Sequence, residues 1–190
     1  MVQGGLLGRR VLTLIEGNVT PPEGALTCHW RETNPEPHLE AMGTGQLGAG
    51  CGLNFILSHE PTPGARQSSI INVDDDQVLL RLDEVAFPPG AIAYRHIHPG
   101  PGIRVLVQGG LRLISDHDIE EMACGDVWFE GAHSPVRAEN RVQEISRFVR
   151  VMILPVAFVG KPSIQILAPG DQTKPRLQVT HRHIDHVFTV

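Results

Sequence analysis

The chain has 190 residues, of which 41% are apolar and 19% charged, so it can build one folded core and wholesale disorder is excluded. Its formal charge of −5 argues against a strongly basic nucleic-acid surface and against a polybasic membrane arm. Aromatic residues make up only 5%, whereas 20 glycines and 15 prolines suit many short strands joined by turns. The composition predicts one β-rich globular domain with no nucleic-acid and no membrane partner.

The cysteines and the apolar segments bear on location. Cys28, Cys51 and Cys124 are an odd number with no Cys-x-x-Cys pair, so neither a disulfide framework nor a cysteine zinc site is expected. No long run is apolar enough for a membrane helix. The apolar segment after Arg9 and Arg10 is too short for a signal peptide. We therefore expect a cytoplasmic protein.

Residues 1–66 are broken up by prolines and show no long hydrophobic period. Their compact apolar runs are Val11–Ile15 and Leu53–Leu57. We expect an N-terminal arm, partly irregular and with one or two strands, that packs on the rest of the chain or on a second copy. Disorder of much of this arm is the alternative.

From Gln77 onward the sequence consists of short apolar runs separated by turns. The first, Gln77–Phe87, alternates apolar and polar residues and stops at a Pro-Pro-Gly turn. Five further runs follow at the spacing typical of a sandwich or barrel: Ile103–Val107, Leu111–Ile114, Asp126–Phe129, Pro135–Ala138 and Phe148–Leu154. Strands and helices do not alternate, which disfavours a doubly wound α/β sheet. We predict an all-β barrel over residues 67–160 and a C-terminal extension over 161–190, with short strands at Ser163–Leu167 and Leu177–Val179.

The pair His96 and His98 carries the candidate chemistry. Residues two apart in a strand face the same side, so Tyr94, His96 and His98 are expected on one face. Two imidazoles so placed can hold one divalent ion. A surface or hydrogen-bonded pair is the commoner meaning of a bare H-x-H.

The sequence around this pair resembles the first motif of the cupin superfamily. Residues 90–109 run G-x5-H-x-H-P-G-P-G-I-R-V-L-V-Q-G, and residues 125–133 run G-D-V-W-F-E-G-A-H, which is similar to the second motif. The resemblance covers residues 70–155. It implies a cupin-type double-stranded β-helix, which is a jelly-roll barrel, and it implies that His96, His98 and His133 are metal ligands.

The motifs depart from the family pattern at two ligand positions. Gly102 stands where the family has a glutamate ligand, and His133 is one residue away from the usual spacing in a second motif that lacks its proline. The resemblance therefore implies a reduced site of three histidines and solvent. Such a site could hold a divalent ion such as zinc, iron, nickel, copper or manganese, or no metal at all.

Arg104 and Gln108 are the candidate substrate-binding residues. If Gly102 faces into the barrel, both share its face, and a guanidinium in a barrel lumen needs a carboxylate, a phosphate or solvent. We expect Arg104 and Gln108 to orient an anionic small molecule, with Tyr94 as the candidate catalytic proton donor. A shift of one residue in strand phase would instead turn Arg104 outward and make the branched residues of Ile103–Val107 the core.

Two further sequence patterns resemble known binding motifs. Residues 43–48 contain the G-x-G-x-x-G of dinucleotide sites, but no apolar strand precedes them and no convincing helix follows, so a flexible glycine loop is expected. Residues 181–186, H-R-H-I-D-H, could bind a metal, although a solvated edge strand is the commoner meaning of such a tail.

Two functions remain open on the sequence. The first is a protein that holds a divalent metal through barrel histidines and binds a small, anionic molecule, as a metal-dependent enzyme or without catalysis. The alternative is a metal-free, cupin-like binding or regulatory module. Apolar edge strands and arms of this kind commonly pair with a second copy, so a homodimer is expected.

Overall fold

The computed structural model describes residues 8–33, 42–48 and 50–189. In these residues the regular structure consists of β-strands and two short 3-10 helices, Val156–Phe158 and Pro169–Asp171. No helix in the described part of the chain is long and apolar enough to cross a membrane. The strands form three antiparallel sheets of five strands each. This confirms the all-β prediction.

The first five strands form one sheet, here called the N-terminal sheet, in the order β3-β2-β4-β1-β5. Its strands are β1 (Gly8–Glu16), β2 (Leu26–Arg31), β3 (Thr44–Leu47), β4 (Leu53–Ser58) and β5 (Gln67–Val73). The two apolar runs predicted in residues 1–66 are β1 and β4, which pair with each other. The described part of the arm therefore contains four strands rather than one or two. β5 pairs with β1 rather than with the barrel, so the barrel begins after it.

The next eight strands form the barrel in jelly-roll order. They are β6 (Gln77–Phe87), β7 (Ile92–Ile97), β8 (Gly102–Gln108), β9 (Gly110–Ile114), β10 (Ile119–Ala123), β11 (Val127–Glu130), β12 (Val136–Glu139) and β13 (Ser146–Leu154). Counted as strands 1 to 8, they lie in the orders 1-8-3-6 and 2-7-4-5 in two facing sheets. This arrangement is that of a double-sheet jelly roll, as predicted.

The C-terminal extension adds one strand to each barrel sheet. The short β14 (Gln165–Ile166) pairs with β7, and the long β15 (Val179–Thr189) pairs with β6. We call β11-β8-β13-β6-β15 the middle sheet and β10-β9-β12-β7-β14 the outer sheet. The histidine-rich tail thus lies in an edge strand, as the commoner interpretation predicted. The homodimer expected from the sequence stays a prediction.

The middle sheet is buried on both of its faces. One face packs against the N-terminal sheet in a core that includes Ile103, Val105, Val149 and Val151. On the other face, Arg104 and the alternating side chains of the neighbouring strands point into the barrel lumen. Arg104 therefore points into the lumen and not outward, whereas Ile103 and Val105 are core residues, as the alternative predicted, because each face of this strand has its own buried neighbours.

A buried carboxylate, Glu84 on β6, joins the N-terminal sheet to the barrel and to β15. Its side chain has 0% exposure. It accepts hydrogen bonds from Arg147 Nη1 at 2.7 Å, Gly43 N at 2.8 Å, Trp30 Nε1 at 3.1 Å and His183 Nε2 at 3.2 Å. Burial by itself raises the pKa of Glu84, but these hydrogen bonds and the Arg147 charge outweigh it and lower the pKa below the ordinary glutamate value.

Replacing Glu84 tests this junction. Glu84→Gln removes one carboxylate partner of the buried Arg147 guanidinium, which also pairs with Glu32, and we expect a loss of about 3 kcal/mol in the free energy of unfolding. Because the pKa of Glu84 is lower in the folded state than in the unfolded state, its stabilisation is complete above the ordinary glutamate pKa. It is lost as the pH falls through the folded value.

Urea unfolding between neutral and acidic pH measures both effects. The exposed Glu120 on β10 provides the control, since Glu120→Gln should change stability by less than about 0.5 kcal/mol. Equal stability of the Glu84→Gln variant and the wild type at neutral pH would contradict the role assigned to Glu84.

Candidate functional site

The barrel encloses a cavity of about 190 Å³ between the middle and outer sheets. One part of its wall is charged or polar and contains His96, His98, Arg104, Glu130 and Arg150. Another part is apolar and contributed by both sheets: Val85, Phe87, Ala93, Leu113, Val136, Ala138 and Phe148. The cavity therefore suits a small molecule with an apolar body and a charged or polar group.

His96 and His98 reach the cavity from the end of β7, and each has one ring nitrogen held by the backbone. His96 Nδ1 lies 2.8 Å from the Tyr94 carbonyl oxygen, and His98 Nδ1 lies 3.0 Å from the Ser163 carbonyl oxygen. A carbonyl oxygen can only accept, so each Nδ1 carries the proton and each Nε2 presents a lone pair. The two rings stand edge to face with centroids 5.0 Å apart.

Both histidines favour the neutral form. Burial is the largest influence and lowers the pKa of His96 and, more strongly, that of His98. The positive charges of Arg150 and Arg104 lower both pKa values further, while the Glu130 carboxylate partly counters this at His96. At neutral pH the pair therefore supplies lone pairs to the cavity rather than positive charge.

Arg150 supplies a cation directly beside His98. Its Nη1 donates to the His98 Nε2 lone pair at 3.3 Å, and its Nε and Nη2 donate to Asp83 Oδ2 at 3.2 and 2.9 Å. A guanidinium has five N–H donors, so these three contacts leave two of them for a ligand. Arg150 thus links the buried Asp83 carboxylate to His98 through hydrogen bonds.

Arg104, predicted to point into the lumen, does so. Its side chain is 1% exposed and forms an ion pair with Glu130, with 2.7 Å between Arg104 Nη2 and Glu130 Oε2. Arg104 Nη1 also donates to the Gly102 carbonyl oxygen at 2.7 Å, and Glu130 Oε1 accepts from Trp128 Nε1 at 2.9 Å. Burial lowers the pKa of Arg104 to about 10, so it remains charged at neutral pH.

Tyr94 and Gln108 do not line the cavity. Each lies in a strand whose pairing contains a β-bulge, and the bulge changes which way the side chain faces. In the β7–β12 pair, three residues of β7 span the distance covered by two of β12, so Ala93 and His96 face the lumen while Tyr94 does not. The Tyr94 ring is contacted by Lys174 and Arg137 instead. A second irregularity, between β8 and β13, places Gln108 opposite Arg147 on the other side of the middle sheet.

His133 is also away from the histidine pair. It is exposed, has a left-handed backbone with φ of 59°, and lies at a separate surface depression. Its link to the pair is a backbone hydrogen bond, from His133 N to the His98 carbonyl oxygen at 2.8 Å. The structure therefore brings together His96, His98 and Arg104 of the predicted site residues, and not Tyr94, Gln108 or His133.

The remaining sequence motifs have structural roles. His183 of the tail binds Glu84, and His181 lies against His183 with ring centroids 4.5 Å apart. The glycines predicted to form a flexible loop instead belong to or flank β3. A Cβ on Gly45 would lie 2.6 Å from His183 Cβ, so glycine is required there for close packing.

The residues of this site do not fit the metal centre that the cupin resemblance implies. A Cβ at Gly102 would lie 2.4 Å from the Val151 carbonyl oxygen, which leaves no room for a glutamate ligand. His98 Nε2 is engaged by a guanidinium, and His133 lies elsewhere. No group of three or more His, Cys, Asp or Glu side chains within the described ranges is arranged to hold a metal ion.

Sequence reasoning missed five important wall residues. Trp128 and Glu130 alternate in β11 within the second motif, and Phe148 and Arg150 alternate in β13, so strand phase indicated that each pair shares a face. This alternation was visible in the sequence, but the sequence did not show which face of each strand points into the barrel. Arg176, from the extension, gave no such signal because it lies outside a regular strand.

No protein-family model matches the sequence, and no curated protein matches it significantly. Solved structures similar to the chain include an RmlC-like cupin from Shewanella frigidimarina, at 21% identity over 40% of this chain and 67% of that one, with a TM-score of 0.37. A cupin 2 conserved barrel domain protein from Leptotrichia buccalis is 13% identical over 78% of this chain and 75% of its own, with a TM-score of 0.38. An oxalate decarboxylase from Lactobacillus farciminis, in complex with formate, is 12% identical over 89% and 76%, with a TM-score of 0.44.

These TM-scores are low, so the assignment depends on the strand order of the chain itself. Eight barrel strands in jelly-roll order enclose a cavity, and an H-x-H pair enters it from the end of the second barrel strand. The described residues therefore form a double-sheet jelly-roll barrel, the architecture that cupins have.

Proposed function

We propose that this protein binds a small carboxylate with an apolar body in the barrel cavity, and that it does so without a metal ion. The observation that carries the proposal is the contact between Arg150 and His98. It places a guanidinium at the histidine lone pair where a metal-binding cupin would need that lone pair for the ion. The metal-dependent function considered from the sequence has less support, because its glutamate and third histidine are missing from the site.

The charge balance of the wall favours an anion. Three arginines line the cavity; Arg104 is paired with Glu130 and Arg150 with Asp83, so Arg176 gives the wall a net positive charge, and the two buried histidines are neutral at neutral pH. Charge-assisted hydrogen bonds from a guanidinium to a carboxylate are among the stronger polar contacts in proteins. A carboxylate beside Arg150 would therefore gain more than a neutral polar group in the same position.

The apolar wall favours a ligand with a hydrocarbon body. Trp128 and Phe148 meet edge to face with centroids 5.4 Å apart, and Phe87 lies 5.9 Å from Phe148. Aromatic walls of this kind bind flat or aliphatic apolar groups by burial and ring contacts. 3-Phenylpropionate, which has one carboxylate and one ring, is a suitable first probe.

Calorimetric titration of 3-phenylpropionate into metal-free protein tests the proposal. We expect one binding site per chain, with affinity unchanged by EDTA. Arg150→Gln should weaken binding by about tenfold, because it removes hydrogen bonds from a charged donor. Asp83 keeps Arg182 as a cationic neighbour at 3.5 Å in that variant, and thermal melting checks that it is folded.

Arg95 provides the matched control. It lies on the same strand as His96 but is exposed and paired with Asp116, so Arg95→Gln should bind the probe as the wild type does. Absence of binding to the wild type, or binding that appears only after a divalent metal is added, would contradict the proposal.

The glutamate position gives an independent test. Gly102→Glu restores the family residue, but because its Cβ meets the Val151 carbonyl oxygen we expect a loss of about 2 kcal/mol in stability and no gain of metal. Urea unfolding and elemental analysis measure the two results. Gly170→Ala, at a site where a Cβ meets nothing within 4 Å, is the control. A Gly102→Glu variant of wild-type stability that holds one equivalent of zinc would show that the barrel accepts a metal centre.

A further inference from the structure

The C-terminal extension closes one side of the cavity and adds a second polar end to it. β14 pairs with β7 at the edge of the outer sheet, and Leu167 N donates to the Arg95 carbonyl oxygen at 3.0 Å. The chain then crosses to the middle sheet, where β15 pairs with β6. Arg176, Gln178 and Thr180, at the end of this crossing, line the cavity.

Strand register places this second polar end beyond the apolar wall. Val85 on β6 lies between Thr180 on one side and Phe148 on the other. Arg150 lies opposite Asp83, which is two residues before Val85 on β6. Gln178, two residues before Thr180, lies beyond Val85 on the side away from Asp83. At about 3.3 Å per residue, the levels of Arg150 and Gln178 are roughly 13 Å apart along the sheet. Val85 and Phe148 of the apolar wall lie between them.

Arg176 differs from the other two arginines of the cavity in lacking a carboxylate partner. Arg104 is paired with Glu130 and Arg150 with Asp83, but Arg176 has no ion pair in the described part of the chain. The neighbouring Gln178 has a buried side-chain oxygen with no hydrogen-bond partner there. Rotation of that amide by 180° would place its N–H donors at the same position, and a buried polar atom without a partner is costly. Arg176 itself is exposed, so it joins this unpartnered position from the solvent side of the cavity.

We infer that the ligand carries a second anionic group and that Arg176 and Gln178 bind it. The ligand class is an amphipathic dianion: one carboxylate at Arg150 and His98, an apolar middle on the aromatic wall, and a second carboxylate at the extension. This inference rests on the proposed function, since it specifies what the same cavity selects. Arg176 and Gln178 are then the residues that distinguish two-headed ligands from one-headed ones.

A matched pair of probes tests the inference. 3-Phenylpropionate has one carboxylate, and 3-(4-carboxyphenyl)propionate adds a second at the far end of the ring. Calorimetry on the full chain should give about tenfold tighter binding of the dicarboxylate, the amount expected for hydrogen bonds to a charged group. In Arg176→Gln the ratio of the two affinities should fall to within about twofold of one.

Lys174→Gln is the control, because it removes the same charge from the same exposed segment at a residue that does not line the cavity. This variant should keep the wild-type affinity ratio. Equal affinity of the two probes for the wild type, or an equal loss of the ratio in Lys174→Gln, would overturn the inference and leave the proposed function standing. Absence of binding by either probe to the wild type would overturn both.

Discussion

The structure depends on one constraint, which is that the middle sheet is buried on both faces. Its apolar side chains on one face pack against the N-terminal sheet, so the alternating positions on the other face project into the barrel lumen. Arg104 and Arg150 occupy such positions, and a charge there must find partners within the protein. Glu130 and Asp83 provide them. The N-terminal sheet thus helps to position a charged site that it does not touch.

In the proposed function, the charged site takes the place that a metal ion would need beside His98. Two histidines are presented as the first cupin motif predicts, with protons held on Nδ1 by backbone carbonyls. The Arg150 guanidinium faces the lone pair of His98. In the proposed function this site would bind anions through directed N–H donors, with an affinity that depends on the arginines and on the shape of the apolar wall. The missing glutamate is explained by packing, since the backbone of β13 passes too close to Gly102 for any side chain.

The sequence predicted the barrel well because its signals are local: strand alternation, turn residues and the spacing of the H-x-H motif. It also predicted the inward direction of Arg104, although strand phase alone left both directions open and the position of Gly102 in the cupin-like motif decided between them. Tyr94 and Gln108 were predicted on the wrong face because β-bulges change which residues of a strand face inward. A bulge depends on strand pairing, which the sequence does not show. His133 and Arg176 lie outside regular strands, where alternation gives no information. The N-terminal sheet was underpredicted because its strands are separated by prolines and stabilised by contact with the middle sheet.

A crystal structure of metal-free protein with 3-(4-bromophenyl)propionate tests the central claim most directly, since anomalous scattering locates the bromine independently of the rest of the density. The account predicts the carboxylate within hydrogen-bond distance of Arg150, the ring against Phe148 and Trp128, and no ion between His96 and His98. A probe bound outside the barrel, or a metal ion held by the two histidines with Arg150 displaced, would contradict it.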